Sequence, residues 1–128
     1  MPQKQALAGL MHDATEAYLI DLPKPIKAMM PQYQAIESHV ARLIDREWGL
    51  NGECDSDAIH RADMTMMATE RAQLLAYEPT PWPCLAGVEP VNMELPCLLP
   101  YQAERWFLER YEELTRVHPR LIDIEGRG

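Results

Sequence analysis

Apolar residues recur every three to four positions along most of this chain, and no stretch alternates apolar and polar residues one by one. Half-buried strands need that alternation, so the pattern predicts an all-α fold. Residues 3–20 read as the first helix, with Leu7, Leu10, Met11, Ala14, Ala17 and Tyr18 on one face. The segment Asp21-Leu22-Pro23-Lys24-Pro25 stops it, because proline lacks a backbone donor and disfavours helix in the residue before it. A short helix over 25–30 follows, with Pro25 in its first turn. Residues 32–48 form a long helix with Tyr33, Ile36, Val40, Leu43, Ile44 and Trp48 on one stripe, ended by Gly49 and Asn51-Gly52-Glu53. Asp55 or Ser56 caps the next helix, 57–78. The last helix covers 101–117.

Between those two helices, residues 79–100 hold six of the eleven prolines. They read as an ordered, stiffened connection with a helical turn near 92–95. A connection of this length in a compact domain is either a loop wrapped over the helices or a lid or partner surface. The tail, 118–128, reads as loose. The whole chain, 1–128, reads as a single helical domain, long enough to bury a core without disulfides.

The formal net charge of −8 argues against duplex nucleic acid as a partner, since such binding draws on clustered Lys and Arg. It also means that a bound phosphate would need local positive charge from a metal ion or a few placed lysines. Cys54, Cys84 and Cys97 form no close pair, which suits a reducing cytosol. The first residues are no signal peptide and no run spans a bilayer, so the expected setting is cytoplasmic, with no membrane partner.

Two helices carry residues suited to chemistry. On a wheel of the first, His12, Asp13 and Glu16 share one arc opposite the apolar face. An imidazole and two carboxylates there suit a divalent ion, or they are the wet side of an amphipathic helix. In the second, Asp63 falls in the middle of the stripe formed by Ile59, Met66, Met67 and Leu74, with Glu70 two turns along. A buried carboxylate must be neutralised, hydrogen-bonded or metal-bound. An Arg, a backbone donor or a metal would each serve. His39 and His118 read as surface residues, and Trp82 as a packing residue or one that covers a base or fills a partner's pocket.

The run Leu10-Met11-His12-Asp13-Ala14-Thr15-Glu16-Ala17-Tyr18, followed by Asp21-Leu22-Pro23-Lys24-Pro25-Ile26-Lys27, resembles the HD-domain metal-dependent phosphohydrolases. It is most similar to the small HD-domain 5′-deoxynucleotidases and their phage and bacterial homologues. These carry an H-D-A-x-E helix and then a G-D-L-P-x-P-x-K loop. Arg61-Ala62-Asp63 and Ala68-Thr69-Glu70-Arg71 resemble the family's later Asp helix, and the resemblance covers roughly residues 5–115. It implies an HD-domain helical bundle. It implies that His12, Asp13 and Asp63 ligate a divalent metal (Mn, Co, Fe, Ni, Zn or Mg) and that Glu16 assists the attacking water. It also implies that Asp21, Leu22, Pro23 and Lys24 contact the sugar and phosphate of a nucleotide substrate. Lys24 or Lys27 would offset phosphate charge.

The chain departs from that family in places. Ile20 stands where the loop usually has Gly, and Lys24 where the deoxynucleotidases have a small hydroxyl residue, which bears on nucleotide preference. The family's earlier metal-binding His has no counterpart among the eleven residues before His12. The expectation is therefore an N-terminally shortened HD bundle, with either a truncated start or a lost ligand; His60 is a substitute candidate. Two functions follow: a nucleotide phosphohydrolase, or a weak or inactive HD remnant that serves as a metal-stabilised protein-interaction module. Either would expose apolar surface and form a homodimer or higher homo-oligomer.

Overall fold

The computed structural model describes residues 2–117, Val117 by its backbone alone. Among these residues there are five α-helices and no strand. They are α1 (Gln3–Met11), α2 (Lys24–Lys27), α3 (Pro31–Trp48), α4 (Asp57–Leu74) and α5 (Pro100–Val117). Three 3₁₀ turns, Ala14–Ala17, Glu53–Asp55 and Pro83–Leu85, link them. The all-α reading of the periodicity holds. The readings of His118 and of the tail fall outside the described residues.

The helix limits follow from local chemistry. Pro31 occupies the first turn of α3, where its missing N–H is not needed. At the other end Gly49 takes a left-handed conformation, φ 60°. The Leu50 N–H reaches back to the Asp45 carbonyl at 2.9 Å, which satisfies the last turn and drops the Leu50 side chain into the core at 4% exposure. Ser56 rather than Asp55 caps α4, its hydroxyl accepting from the Ile59 N–H at 3.4 Å. In α5, Pro100 begins the helix and the Gln102 side chain accepts from the Leu99 N–H at 2.8 Å, half of a capping box.

The first helix is shorter than the periodicity predicts. It ends at Met11, and residues 14–17 tighten into a 3₁₀ turn closed by the Glu16 N–H on the Asp13 carbonyl at 2.9 Å. A six-residue apolar pattern cannot separate one continuous helix from a helix followed by a tight turn. Ala17 and Tyr18, expected on the inner face, are exposed. The expected helical turn at 92–95 is also absent: Asn92 and Met93 make only a bend.

The centre is the cluster Met11, Ile44 and Leu50, with Leu7, Ala14, Val40, Trp48, Cys54 and Tyr111 packed around it. α1 runs through the middle and lies against α4, α5 and the 53–55 turn. Gly9 faces α4, where a Cβ would just touch Ile59 Cδ1 at 3.4 Å. Trp48 Nε1 donates to the Tyr111 hydroxyl at 2.9 Å and ties α3 to α5. The proline-rich connection lies along α4. Val91 N–H donates to the buried Thr69 hydroxyl at 3.1 Å, Gln73 bridges Met93 and Leu95, and the Arg71 guanidinium binds the Glu78 and Thr80 carbonyls. Arg71 also lies 4.5 Å from the Trp82 ring centroid, so Trp82 is engaged within the chain.

Candidate functional site

His12 stands where α1 ends, and its ring is fixed by the turn that ends the helix. Nδ1 lies 2.7 Å from the Gly9 carbonyl oxygen. A carbonyl only accepts, so Nδ1 carries a proton, and in the neutral form of the ring the lone pair is at Nε2. This backbone anchor is the usual one for a metal-binding histidine. Nε2 is buried and makes no hydrogen bond. It faces two carboxylates instead: Asp13 Oδ2 at 3.2 Å and Asp63 Oδ1 at 3.6 Å.

Three acceptors directed at one another repel unless a proton or a cation lies between them. Donors that share an ion at roughly 2.1 Å stand roughly 3.0–3.4 Å apart. The His12–Asp13 separation falls in that range and the His12–Asp63 separation is a little wide. Among the described residues no group of three or more His, Cys, Asp or Glu side chains is ready-made to hold a metal. The chemistry of this donor set nevertheless fits a divalent ion, and a small side-chain movement at Asp63 would close it. That side chain has room to move, being 41% exposed.

The exposure of Asp63 corrects the sequence reading. The buried residues of α4 are Ile59, Met64, Ala68 and Thr69, while Leu74 and Glu70 are exposed. Asp63 therefore lies at the edge of the packed face and turns toward His12. His60 is exposed, as is His39.

Beside His12 opens a cleft of about 800 Å³, lined by residues of the α1–α2 region and of α3. Asp13, Glu16 and Lys27 face it from one side, and Glu37, Arg42 and Asp45 from the other. Because the 14–17 turn is 3₁₀, with three residues per turn, Glu16 lies over Asp13 and not between Asp13 and His12. Partial burial, then the charges of Asp13 and Asp21, push the Glu16 carboxyl above its ordinary range against the pull of Lys27 and His12. A carboxylate with raised proton affinity is a better base than an ordinary one.

The two candidate lysines separate. Lys24 is exposed at the start of α2 and does not line the cleft, whereas Lys27 does. Asp21 is exposed and lies 3.8 Å from Lys27 Nζ, Leu22 is half-buried, and Pro23 leads into α2. The loop is fastened to α3: the Tyr33 hydroxyl donates to the Ile20 carbonyl and the Gln34 amide to the Lys27 carbonyl. The wall formed by Glu37, Arg42 and Asp45 was not singled out by the sequence reading. Arg42 and Asp45 lie on the polar side of α3, whereas Glu37 falls within its apolar stripe, between Ile44 and Trp48 on the wheel, a signal like the one that singled out Asp63.

One curated relative, described as "Uncharacterized protein YfdR" of Escherichia coli (strain K12), is 36% identical over 118 residues. The match covers 91% of this chain and 66% of the relative, so the chain spans slightly less than two thirds of its length. No family model matches the chain. No solved structure matches it.

Proposed function

We propose that this chain is a metal-dependent phosphohydrolase that acts on a nucleotide phosphate, foremost a nucleoside 5′-monophosphate. The observation that carries the reading is His12 Nε2, buried without a hydrogen bond and turned to the carboxylates of Asp13 and Asp63. These three residues would hold one divalent ion. When bound, the ion offsets charge on a phosphate oxygen and makes a nearby water more acidic.

Glu16, which lines the cleft, accepts the proton of the attacking water. The water oxygen bonds to phosphorus, the ester P–O bond breaks, and the proton passes to the departing nucleoside oxygen. Asp21, Leu22, Pro23 and Lys24 would meet the sugar and phosphate, as the resemblance to the 5′-deoxynucleotidases implies; Asp21 lies 3.8 Å from Lys27, which lines the cleft. Such an HD-type enzyme works in the cytoplasm as a homodimer or higher homo-oligomer.

The test is metal uptake and phosphate release. The purified protein is loaded with Mn²⁺ or Co²⁺, analysed for metal, and assayed on a panel of nucleoside 5′-monophosphates. His12→Ala and Asp63→Ala are expected to lose both metal and activity. Wild type that takes up neither ion, or activity that survives both substitutions, overturns the reading. The exposure of Trp106, Phe107 and Leu108 on α5 favours the second reading, an interaction module built on the same fold; metal uptake without phosphate release would select it.

A further inference from the structure

The cleft poses an electrostatic problem for any phosphate. Carboxylates of Asp13, Glu16, Glu37, Asp45 and Asp55 line it, against the cations of Lys27 and Arg42. Of these two cations, only Lys27 is held in place by charges on both sides. Its Nζ lies 2.9 Å from Glu37 Oε2 on α3 and 3.8 Å from Asp21 Oδ1 in the loop. Its side chain is 25% exposed, and its carbonyl is held by Gln34. Both ends of the residue are therefore anchored to α3. The ammonium sits on the cleft wall with limited freedom, so little rotamer entropy remains to be lost when an anion arrives.

From this arrangement, which presupposes the phosphohydrolase reading, we infer that Lys27 binds the substrate phosphate and that Glu37 is a positioning residue that also restrains its affinity. The ammonium has three donors, and Glu37 takes one at 2.9 Å. The remaining donors are available to a phosphate oxygen entering the cleft. Glu37 holds the ammonium at the wall, while its negative charge opposes the incoming anion. The two substitutions should therefore act in opposite directions. Lys27→Ala removes the donor and leaves Glu37 and Asp21 uncompensated, which makes the cleft more acidic. Glu37→Gln keeps an oxygen for the ammonium to contact and removes the opposing charge. A merely structural ion pair would give the same sign for both.

The experiment is isothermal titration of the full chain with a nucleoside 5′-monophosphate and, separately, with the unphosphorylated nucleoside, each with and without Mn²⁺. The difference between the two ligands isolates the phosphate. Lys27→Ala is expected to weaken monophosphate binding by roughly tenfold or more, the range for a hydrogen bond to a charged group, and to leave nucleoside binding unchanged. Glu37→Gln should tighten monophosphate binding several-fold, and Lys27→Arg should retain most of it. Thermal melts of each variant separate loss of binding from loss of fold. Lys27→Ala that binds the monophosphate like wild type, or Glu37→Gln that weakens it as Lys27→Ala does, overturns the inference and leaves the hydrolase reading standing. Wild type that binds neither ligand and releases no phosphate removes the substrate reading and this inference together.

Discussion

His12 Nε2 lies 3.6 Å from Asp63 Oδ1, so the last turn of α1 and the second turn of α4 converge on one point. With neither a proton nor a cation between them this is an unfavourable contact between two acceptors. Asp63→Asn replaces one oxygen with an amide that can donate to Nε2. The metal-free variant is expected to be more stable than metal-free wild type by about 1 kcal/mol, the usual net contribution of a hydrogen bond. With Mn²⁺ in large excess the order reverses. A ligand at a hundred times its Kd stabilises the folded state by about 2.7 kcal/mol, and only wild type should gain it. Melting curves with and without Mn²⁺ measure both. An Asp63→Asn chain that melts lower than wild type in the absence of metal would show that the two groups are not in conflict.

Glu16 is assigned the proton transfer and no metal bond, so its loss should separate the two. Glu16→Gln is expected to lower the rate of phosphate release by roughly 10²–10⁴-fold and to retain the metal-induced rise in melting temperature. The pH profile carries a second check. A base works only when deprotonated, and Glu16 is held above its ordinary range by partial burial and by the charges of Asp13 and Asp21. Activity should therefore fall, as pH drops, at a higher pH than an ordinary carboxylate would give. Asp21→Asn removes one of the causes and should move that acid limb down.

The helical pattern made α3, α4 and the class of fold readable in the sequence, because long amphipathic runs with clear caps leave few alternatives. The site was readable in its residue types and less so in its geometry. A wheel assumes a continuous helix through residue 20, yet α1 ends at Met11. That break moves Glu16 over Asp13 and turns the His12 ring back onto the Gly9 carbonyl. The stripe that placed Asp63 at the centre of the buried face of α4 erred for a related reason. Met66, Met67 and Leu74 are apolar, but burial depends on what packs against a face, and α1 packs against Ile59. The cleft wall on α3 is tertiary in origin. Nothing in the local sequence says that Glu37 would meet Lys27, ten positions earlier in the chain.

Gly49 ends α3 at φ 60°, and a Cβ there would meet nothing within 4 Å. The cost of Gly49→Ala is thus purely conformational, about 1–2 kcal/mol for an ordinary residue in the left-handed region. The consequence extends beyond the turn, since Leu50 enters the core directly after it and Gly52 N–H binds Asp45 Oδ1 at 2.7 Å. Urea denaturation should show a lower midpoint with an unchanged slope. A midpoint equal to that of wild type would mean that the turn is not held in this conformation in solution.

The first three turns of α5 leave large apolar side chains open: Tyr101 at 65%, Trp106 at 54%, Phe107 at 40% and Leu108 at 51% exposure. A second copy of the chain can cover that helix without any further component, and the expected species is a dimer. Sedimentation across a range of concentrations should show it, and Phe107→Asp should shift the species to monomer. Phe107 lies one turn before Tyr111 on the same side of α5 and is 40% exposed, so the variant's helical circular dichroism must match that of wild type for its sedimentation to count. Wild type that sediments as a monomer at tens of micromolar would rule out self-association as the cover for this face, and a folded Phe107→Asp dimer would place the interface elsewhere.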